Sequence, residues 1–209
     1  MKYLKGNATN KENFNIIPLR DIATFTSGYS YNSNELINSN WGLITIKCFN
    51  KNIGFKLDGF KGLSTRNTVK KEQIAEKYEI VIAHTDLTQN ADIIGNAEII
   101  LNKNNYEKLI ASMDLVILRP MSVNKFLLYM LVHNPDFKKF SLGYCSGTTV
   151  LHLSKRALNE YLVYLPKDEN ITNKISCIVE TIINKQAILI EQNLKLNRLK
   201  QLYLKKFFN

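Results

Sequence analysis

The segment EIVIAHTDLTQNADIIGNAEII, residues 79–100, contains two apolar runs separated by a polar loop. β-Branched residues crowd into both runs, at residues 80–83 and 93–100, and polar turn-forming residues bound them, so we predict two buried strands. The loop between them, residues 84–90, has the sequence His-Thr-Asp-Leu-Thr-Gln-Asn. The many side-chain donors and acceptors on this loop make it a candidate recognition element.

The composition is typical of a globular domain with an appendage. The chain has 209 residues, of which 45% are hydrophobic and 22% are charged, and this length is enough to bury a core. No apolar run approaches the roughly 18 residues that suggest a membrane span, and the N-terminal residues lack the apolar region of a signal peptide. We therefore expect a cytoplasmic protein with no membrane partner.

The charge of the chain is strongly basic. A net charge of +10 and an isoelectric point near 9.4 favour a polyanionic partner, and nucleic acid is the first candidate. The abundance of Lys, Asn and Ile is also what an AT-rich genome produces, and this alternative explains much of the same excess.

The pattern along the chain predicts an α/β (α+β) fold. We expect residues 1–15 to be a flexible lead-in and residues 16–167 to form the globular domain. Within it, residues 43–49 and the segment MDLVILRP, residues 113–120, are predicted strands. Residues 122–140 have the spacing of a helix, with Ser122 as its cap. One apolar face of this helix would comprise Phe126, Leu127, Met130 and Leu131.

Residues 168–209 are predicted to form one long coiled-coil helix, because Gly and Pro are absent after Pro166. Apolar residues recur at seven-residue intervals and a second, half-filled stripe lies beside them. The first stripe is Ile175, Ile182, Leu189, Leu196 and Tyr203, and the second includes Ile178 and Leu199. From residue 171 to 206 the helix would be about 54 Å long. It therefore needs a partner helix, or it folds back on its own domain.

Motifs for catalysis are weak. The candidate metal ligands are Cys48, Cys145, Cys177, His84, His133 and His152. Their wide spacing matches no metal motif and no CxxC pair, and the phosphate-binding and dinucleotide-binding glycine motifs are missing. The segment HNPDF, residues 133–137, partly resembles the Asn-Pro-Pro-Tyr/Phe loop of amino-methyltransferases. We interpret its Asn134-Pro135 pair as a helix stop, and we predict neither catalytic residues nor a metal site.

Recognition of DNA is the function that remains. Four polar loops follow buried elements and carry the residue types that contact base edges and phosphates. The candidate DNA-binding residues are Lys47, Asn50, Lys51, Arg66, Asn67, Gln89, Asn90, Tyr144, Thr148, Thr149 and His152. Ordinary solvated turns are the alternative for each loop. In the opening segment, Asp86 and Thr88 would hold the turn, and Gln89 and Asn90 would face the DNA.

Several motifs, in their order and spacing, resemble the DNA-specificity subunits of type I restriction-modification enzymes. They are PLRDIATFTSGYSY, EIVIAHTDLTQNADIIGNAEII, MDLVILRP, SGTTVLHLS and VYLP before the long helix. The resemblance implies an α/β domain that recognises half of a split DNA target. It also implies that the helix docks DNA adenine methyltransferase subunits. S-adenosylmethionine would be bound by that partner and not by this chain, and a restriction translocase would be a further partner.

The size of the chain departs from that family, whose standard subunit carries two recognition domains and two helices. This chain has one of each, so the resemblance implies half a subunit that forms a homodimer through antiparallel helices and recognises an inverted repeat. The helix interface would comprise Ile175, Ile178, Ile182, Leu189, Leu196, Leu199 and Tyr203. The alternatives are a truncated product or expressed fragment, a regulatory anti-restriction half-subunit that occupies the methyltransferase, and a methyltransferase or nuclease fragment with its own catalysis.

Overall fold

The fold is described from a computed structural model, which covers residues 12–51, 54–65, 68–88 and 90–208. The strands are β1 (Phe14–Pro18), β2 (Ala23–Ser27), β3 (Trp41–Ile44), β4 (Lys61–Gly62), β5 (Ile74–Ala75), β6 (Ile80–Ala83), β7 (Thr85–Asp86), β8 (Ala97–Ile99), β9 (Lys108–Ala111), β10 (Leu115–Pro120), β11 (Cys145–Ser146), β12 (Leu151–Leu153) and β13 (Leu162–Pro166). The helices are α1 (Lys125–Val132), α2 (Pro135–Leu142), α3 (Lys155–Glu160) and α4 (Glu169–Phe208). The predicted α/β class and the long C-terminal helix are confirmed.

A central antiparallel sheet, in the order β2-β10-β6-β8, separates two hydrophobic cores. Successive side chains of a strand point to opposite faces. Ile80 and Ile82 of β6 accordingly pack with the helices, whereas Val81 and Ala83 pack on the second sheet. All four side chains are buried, and each buried isoleucine contributes about 1.5–3 kcal/mol. The strand predicted at residues 80–83 is confirmed.

The second sheet has the order β4-β3-β9-β5, with β3 and β9 parallel. The strand predicted over residues 43–49 ends at Ile44, so that prediction is wrong in its second half. Thr45 caps a 3₁₀ turn over Ile46–Cys48, because its hydroxyl accepts a 3.2 Å hydrogen bond from the Lys47 amide. Lys47 therefore lies on a tight turn and not on a strand.

The second strand predicted in the opening segment is also shorter than expected. Strand β8 begins at Ala97, and the residues from 91 to 96 form turns and bends. Ala91 and Gly95 both have positive φ angles, of 54° and 74°. A Cβ atom on Gly95 would lie 2.8 Å from the Ser141 side chain, so the loop approaches α2 where only glycine fits.

The single helix predicted over residues 122–140 is two helices. Asn124, and not Ser122, caps α1, since its side chain accepts a 2.8 Å hydrogen bond from the Phe126 amide. The helix stop predicted at Asn134-Pro135 is confirmed, but a second helix starts at the same place. The Asn134 side chain accepts hydrogen bonds from the amides of Asp136 and Phe137 at 2.9 and 3.0 Å.

Helix α4 contains 40 residues and is about 60 Å long. One face of its first half packs on the domain, where Ser176, Ile183 and Ala187 are buried. Further along, Arg198 donates a 2.5 Å hydrogen bond to Asn105, and the remaining turns are exposed. The alternative of a helix folded back on its own domain therefore applies to the first half of α4. Across the described residues, no helix combines the length and apolarity needed to cross a membrane.

The start and the end of the globular domain lie side by side. Strands β1 and β13 pair antiparallel, with Ile16 opposite Tyr164 and Pro18 opposite Leu162. Strand β1 begins at Phe14, within the segment predicted as a lead-in, and residues 1–11 of that segment lie outside the described residues.

Candidate nucleic-acid interface

The segment between β6 and β8, which contains the short strand β7 and which we name the polar loop (residues 84–88 and 90–96), is organised around one buried carboxylate. Asp86 is fully buried and accepts hydrogen bonds from the amides of Thr88, Ile93 and Ile94 at 2.8, 2.7 and 3.1 Å. The Thr88 hydroxyl donates a further bond of 2.8 Å to the same carboxylate. Burial disfavours the charged form, but these hydrogen bonds outweigh it and lower the pKa of Asp86. The expectation that Asp86 and Thr88 hold the turn is confirmed.

A second segment, the β11–β12 hairpin (residues 145–153), pairs directly with the polar loop. His152 lies opposite Thr85, and Leu151 lies opposite Asp86. Thr148, Thr149 and His152 are exposed. The pairing therefore brings residues more than 60 positions apart in the sequence to one edge of the domain.

Tyr144, just before this hairpin, is held from inside the domain. Its hydroxyl donates a 2.7 Å hydrogen bond to Glu160, and its ring lies 4.9 Å from that of Phe140. The hydrogen bond to the Glu160 carboxylate raises the pKa of Tyr144. In this conformation the hydroxyl is engaged by Glu160.

The third segment, the basic hairpin (residues 47–51 and 54–56), carries Lys47 and Lys51. The backbone closes it, with hydrogen bonds from the Asn50 amide to the Gly54 carbonyl (2.9 Å) and from the Lys56 amide to the Cys48 carbonyl (2.7 Å). Lys47 is exposed, and the Lys51 side chain is 78% exposed. Both ammonium groups are thus accessible to a phosphate.

Three contacts join the basic hairpin to the polar loop and to strand β8, which comes directly after the polar loop. The Gly54 amide donates a 2.6 Å hydrogen bond to Glu98, and the Asn96 side chain donates a 3.3 Å bond to the Asn50 carbonyl. Lys51 forms a 3.2 Å ion pair with Asp92. We name the three joined segments the loop edge. The described candidate residues on it or next to it are Lys47, Asn50, Lys51, Asn90, Tyr144, Thr148, Thr149 and His152.

The remaining candidates, Arg66, Asn67 and Gln89, lie outside the described residues. The residues just before Arg66 are held by other parts of the domain. The Ser64 amide donates a 2.9 Å hydrogen bond to the Glu35 carbonyl, and the Thr65 hydroxyl is hydrogen-bonded to that of Tyr29.

The sequence prediction missed three residues that shape the loop edge, namely Asn96, Glu98 and Lys138. Lys138 comes from α2 and donates a 2.5 Å hydrogen bond to the Asp92 carbonyl. Burial lowers the pKa of Lys138, whereas the negative charges of Asp86 and Asp92 act to raise it and only partly compensate. Glu98 is the one of the three with a sequence signal, since a charged residue inside an apolar run needs a specific partner when it is buried. Burial raises the pKa of Glu98, while the Gly54 amide and His133 oppose that shift.

His84 begins the polar loop and is held neutral by its surroundings. Burial lowers its pKa, and the nearby charges of Lys155 and His152 act in the same direction. Among the described residues, none forms a hydrogen bond with its buried Nε2 atom. The unfolded chain takes up a proton near the ordinary pKa of 6.5, whereas folded His84 resists protonation until a lower pH. The histidine therefore destabilises the fold progressively as the pH falls below about 7.

We expect His84→Gln to weaken this pH dependence. The free energy of unfolding of the wild-type protein should fall more steeply between pH 7 and pH 5 than that of the variant. Urea unfolding at several pH values measures both slopes. Equal slopes would show that His84 titrates alike in the folded and unfolded chains.

The predicted helix interface is mostly exposed. Ile178, Ile182, Leu189, Leu196, Leu199 and Tyr203, which we name the helix stripe, are between 47% and 62% exposed. Ile175 differs, because it packs against the core that lies between the central sheet and the helices. Since α4 faces its own domain through Ser176, Ile183 and Ala187, the helix stripe remains open to a partner.

Solved structures with a similar fold include S subunits of type I restriction-modification systems. The S subunit from M. genitalium matches with a TM-score of 0.54 and 12% identity, over 92% of this chain and 43% of its own. The HsdS subunit from Thermoanaerobacter tengcongensis matches with a TM-score of 0.51 and 16% identity, over 93% of this chain and 44% of its own. A third match is a chain in a structure that describes the complex assembly and conformational transition of the type I R-M system. It has a TM-score of 0.53 and 17% identity, over 93% of this chain and 45% of its own.

These matches confirm the fold resemblance that the sequence motifs predicted. The identities are low, and what this chain shares with those proteins is the fold. The chain spans less than half the length of the S subunits that it matches. No family model matches the sequence, and no curated protein is significantly similar to it.

Proposed function

We propose that this protein is a DNA-specificity subunit of a type I restriction-modification system. Residues 16–167 would recognise one half of a bipartite DNA target, and residues 168–209 would dock methyltransferase subunits. The observation that carries the proposal is the loop edge, where three polar segments distant in sequence meet on a domain with the S-subunit fold. The protein would work in the cytoplasm.

The residue types of the loop edge suit DNA. Asn50 and Asn90 carry the amide that pairs with adenine edges, and the methyl groups of Thr148 and Thr149 suit thymine. Lys47 and Lys51 would contact phosphates and so fix the position of the domain on the duplex. Recognition of this kind needs no catalytic group in the chain. Adenine methylation, with its S-adenosylmethionine, and any cleavage would belong to the methyltransferase and the restriction translocase.

The helix stripe supports a homodimer with antiparallel α4 helices. Residues Asp168 and Glu169 lie at the start of α4, whereas Lys200, Lys205 and Lys206 lie near its end. Antiparallel pairing brings the basic end of one helix beside the acidic start of the other, and parallel pairing brings like charges together. The two-fold axis would turn two identical half-targets into an inverted repeat, and the helix length would set their separation.

The decisive experiment is DNA selection by the purified chain with its methyltransferase, from random duplexes with variable spacers. We expect enrichment of one inverted repeat with a fixed spacer, and light scattering should show a dimer of the chain. Binding to the methyltransferase with no DNA selected and no methylation supported would favour the regulatory half-subunit. Methylation or cleavage by the chain alone would favour a catalytic fragment.

We expect replacement of Lys47 and Lys51 by alanine to weaken DNA binding and to reduce its salt dependence. Each lost phosphate contact lowers the slope of log K against log salt by about 0.9, so the double variant should lose about 2. Titrations at several salt concentrations measure this slope. The matched control replaces Lys108, on β9 of the second sheet, and Lys71, beside that sheet, by alanine. This double variant should leave the slope unchanged. An unaltered slope in the Lys47/Lys51 variant would remove the basic hairpin from the interface.

A further inference from the structure

Glu98 is a buried acidic residue on β8, an edge strand of the central sheet. Its neighbours Ala97 and Ile99 point into the helix-side core, and Glu98 points the other way with 4% of its surface exposed. A buried carboxylate is costly unless specific partners compensate for lost hydration. The partners of Glu98 therefore indicate why an acidic residue occupies this position.

The two carboxylate oxygens of Glu98 face different parts of the domain. Oε1 accepts the 2.6 Å hydrogen bond from the Gly54 amide of the basic hairpin. Oε2 lies 3.9 Å from Nδ1 of His133, at the end of α1. The His133 ring is itself fixed by a 2.6 Å contact with the Ala97 carbonyl and by stacking on Tyr129 at 4.5 Å. Glu98 thus connects the basic hairpin to a rigid part of the core.

Two further contacts, both with the polar loop, hold the basic hairpin, and both are weaker than the Glu98–Gly54 bond. The ion pair of Lys51 with Asp92 involves a side chain that is 78% exposed, and such pairs contribute little. The hydrogen bond from Asn96 to Asn50 is longer, at 3.3 Å, and both groups are neutral. A short bond from an amide to a carboxylate is charge-assisted and about twice as strong as a neutral one. Cys48 and Phe49 fix one side of the hairpin in the second core, and the Glu98–Gly54 bond is the strongest of the three polar links on the other side.

We propose that Glu98 is a positioning residue for DNA recognition, which holds the basic hairpin against the polar loop so that Lys47, Asn50 and Lys51 are presented to DNA in one arrangement. The inference rests on the proposed function. Its physical basis is preorganisation, because a loop that is already ordered loses less conformational entropy on binding. Glu98 itself would not touch DNA, since it is buried.

The test compares Glu98→Ala with Glu98→Gln, which keeps an oxygen that can accept the Gly54 amide. Without DNA, hydrogen exchange of a peptide that contains Gly54 should become fastest in the alanine variant and lie between that rate and the wild-type rate in the glutamine variant, whose hydrogen bond is neutral. With DNA, the alanine variant should bind at least about tenfold more weakly, and the glutamine variant should bind nearly as well as the wild type.

A double-mutant cycle separates positioning from a general structural effect. In a protein that already carries Lys47→Ala, Asn50→Ala and Lys51→Ala, Glu98→Ala should weaken DNA binding by less than about twofold, because the side chains that it positions are gone. A full tenfold loss in that background would overturn the proposal. Unchanged exchange at Gly54 in Glu98→Ala would also overturn it. If exchange behaves as expected but the wild-type protein binds no DNA, the proposed function fails, and Glu98 is then a loop anchor without a role in recognition.

Discussion

Leu189→Asp together with Leu196→Asp is expected to convert the proposed dimer into monomers. Both residues lie on the helix stripe, about half exposed in the single chain. Burying a leucine side chain contributes about 1.5–3 kcal/mol, and a symmetric dimer loses each contribution twice. The dissociation constant should therefore rise at least about a thousandfold. Sedimentation equilibrium over a range of protein concentrations measures this change.

Gln201→Asp is the matched control for the helix stripe. It introduces one aspartate into the same helix, where the test variant introduces two, but Gln201 projects about 140° around the helix from Leu196. This variant should dimerise like the wild type. If the Leu189/Leu196 variant keeps the wild-type mass and still docks the methyltransferase, the helix stripe is not an interface, and α4 would then need another explanation for its exposed apolar residues.

Asp86→Ala is expected to have the largest effect on stability. The substitution leaves the buried amides of Ile93 and Ile94 without their acceptor and removes both bonds from Thr88. Each unsatisfied buried amide costs about 1–3 kcal/mol, so we expect a loss of about 3–5 kcal/mol in the free energy of unfolding. Urea unfolding monitored by circular dichroism measures the loss. For a protein of ordinary stability, this is a large fraction of the total.

Asp92→Ala provides the comparison within the same loop. Asp92 forms an ion pair with the exposed Lys51 side chain, so this variant should lose less than about 1 kcal/mol. Equal losses for the two variants would mean that the Asp86 hydrogen bonds contribute no more to folding than a surface ion pair does.

Local patterns in the sequence predicted the elements whose cause is local. The burial of residues 80–83 on both faces of the sheet follows from four consecutive apolar residues, and the length of α4 follows from the absence of Gly and Pro after Pro166. The role of Asp86 was predictable because Asp and Thr bond backbone amides a few residues away. The ends of the elements were harder to predict, since single side-chain hydrogen bonds of Thr45 and Asn124 decide where β3 ends and where α1 begins.

Contacts between distant segments were not predictable from the sequence. Glu98 and Gly54 are 44 residues apart, and no periodicity relates them. The meeting of the polar loop with the β11–β12 hairpin depends on the register of two short strands. Most of the described polar residues at the loop edge were predicted from the sequence, because their residue types suit DNA. The sequence did not indicate which of those side chains are already hydrogen-bonded to other residues. Tyr144, engaged by Glu160, is the clearest example.

The pairing of β1 with β13 has a practical consequence for engineering. The chain enters and leaves the globular part at one place, within the width of two neighbouring strands. A unit with adjacent ends tolerates insertion and circular permutation, because its replacement leaves the flanking chain where it was. The globular unit of a homologue should therefore graft onto this chain together with the first half of α4, which packs on it. Such chimeras would exchange the globular domain and keep the exposed second half of α4.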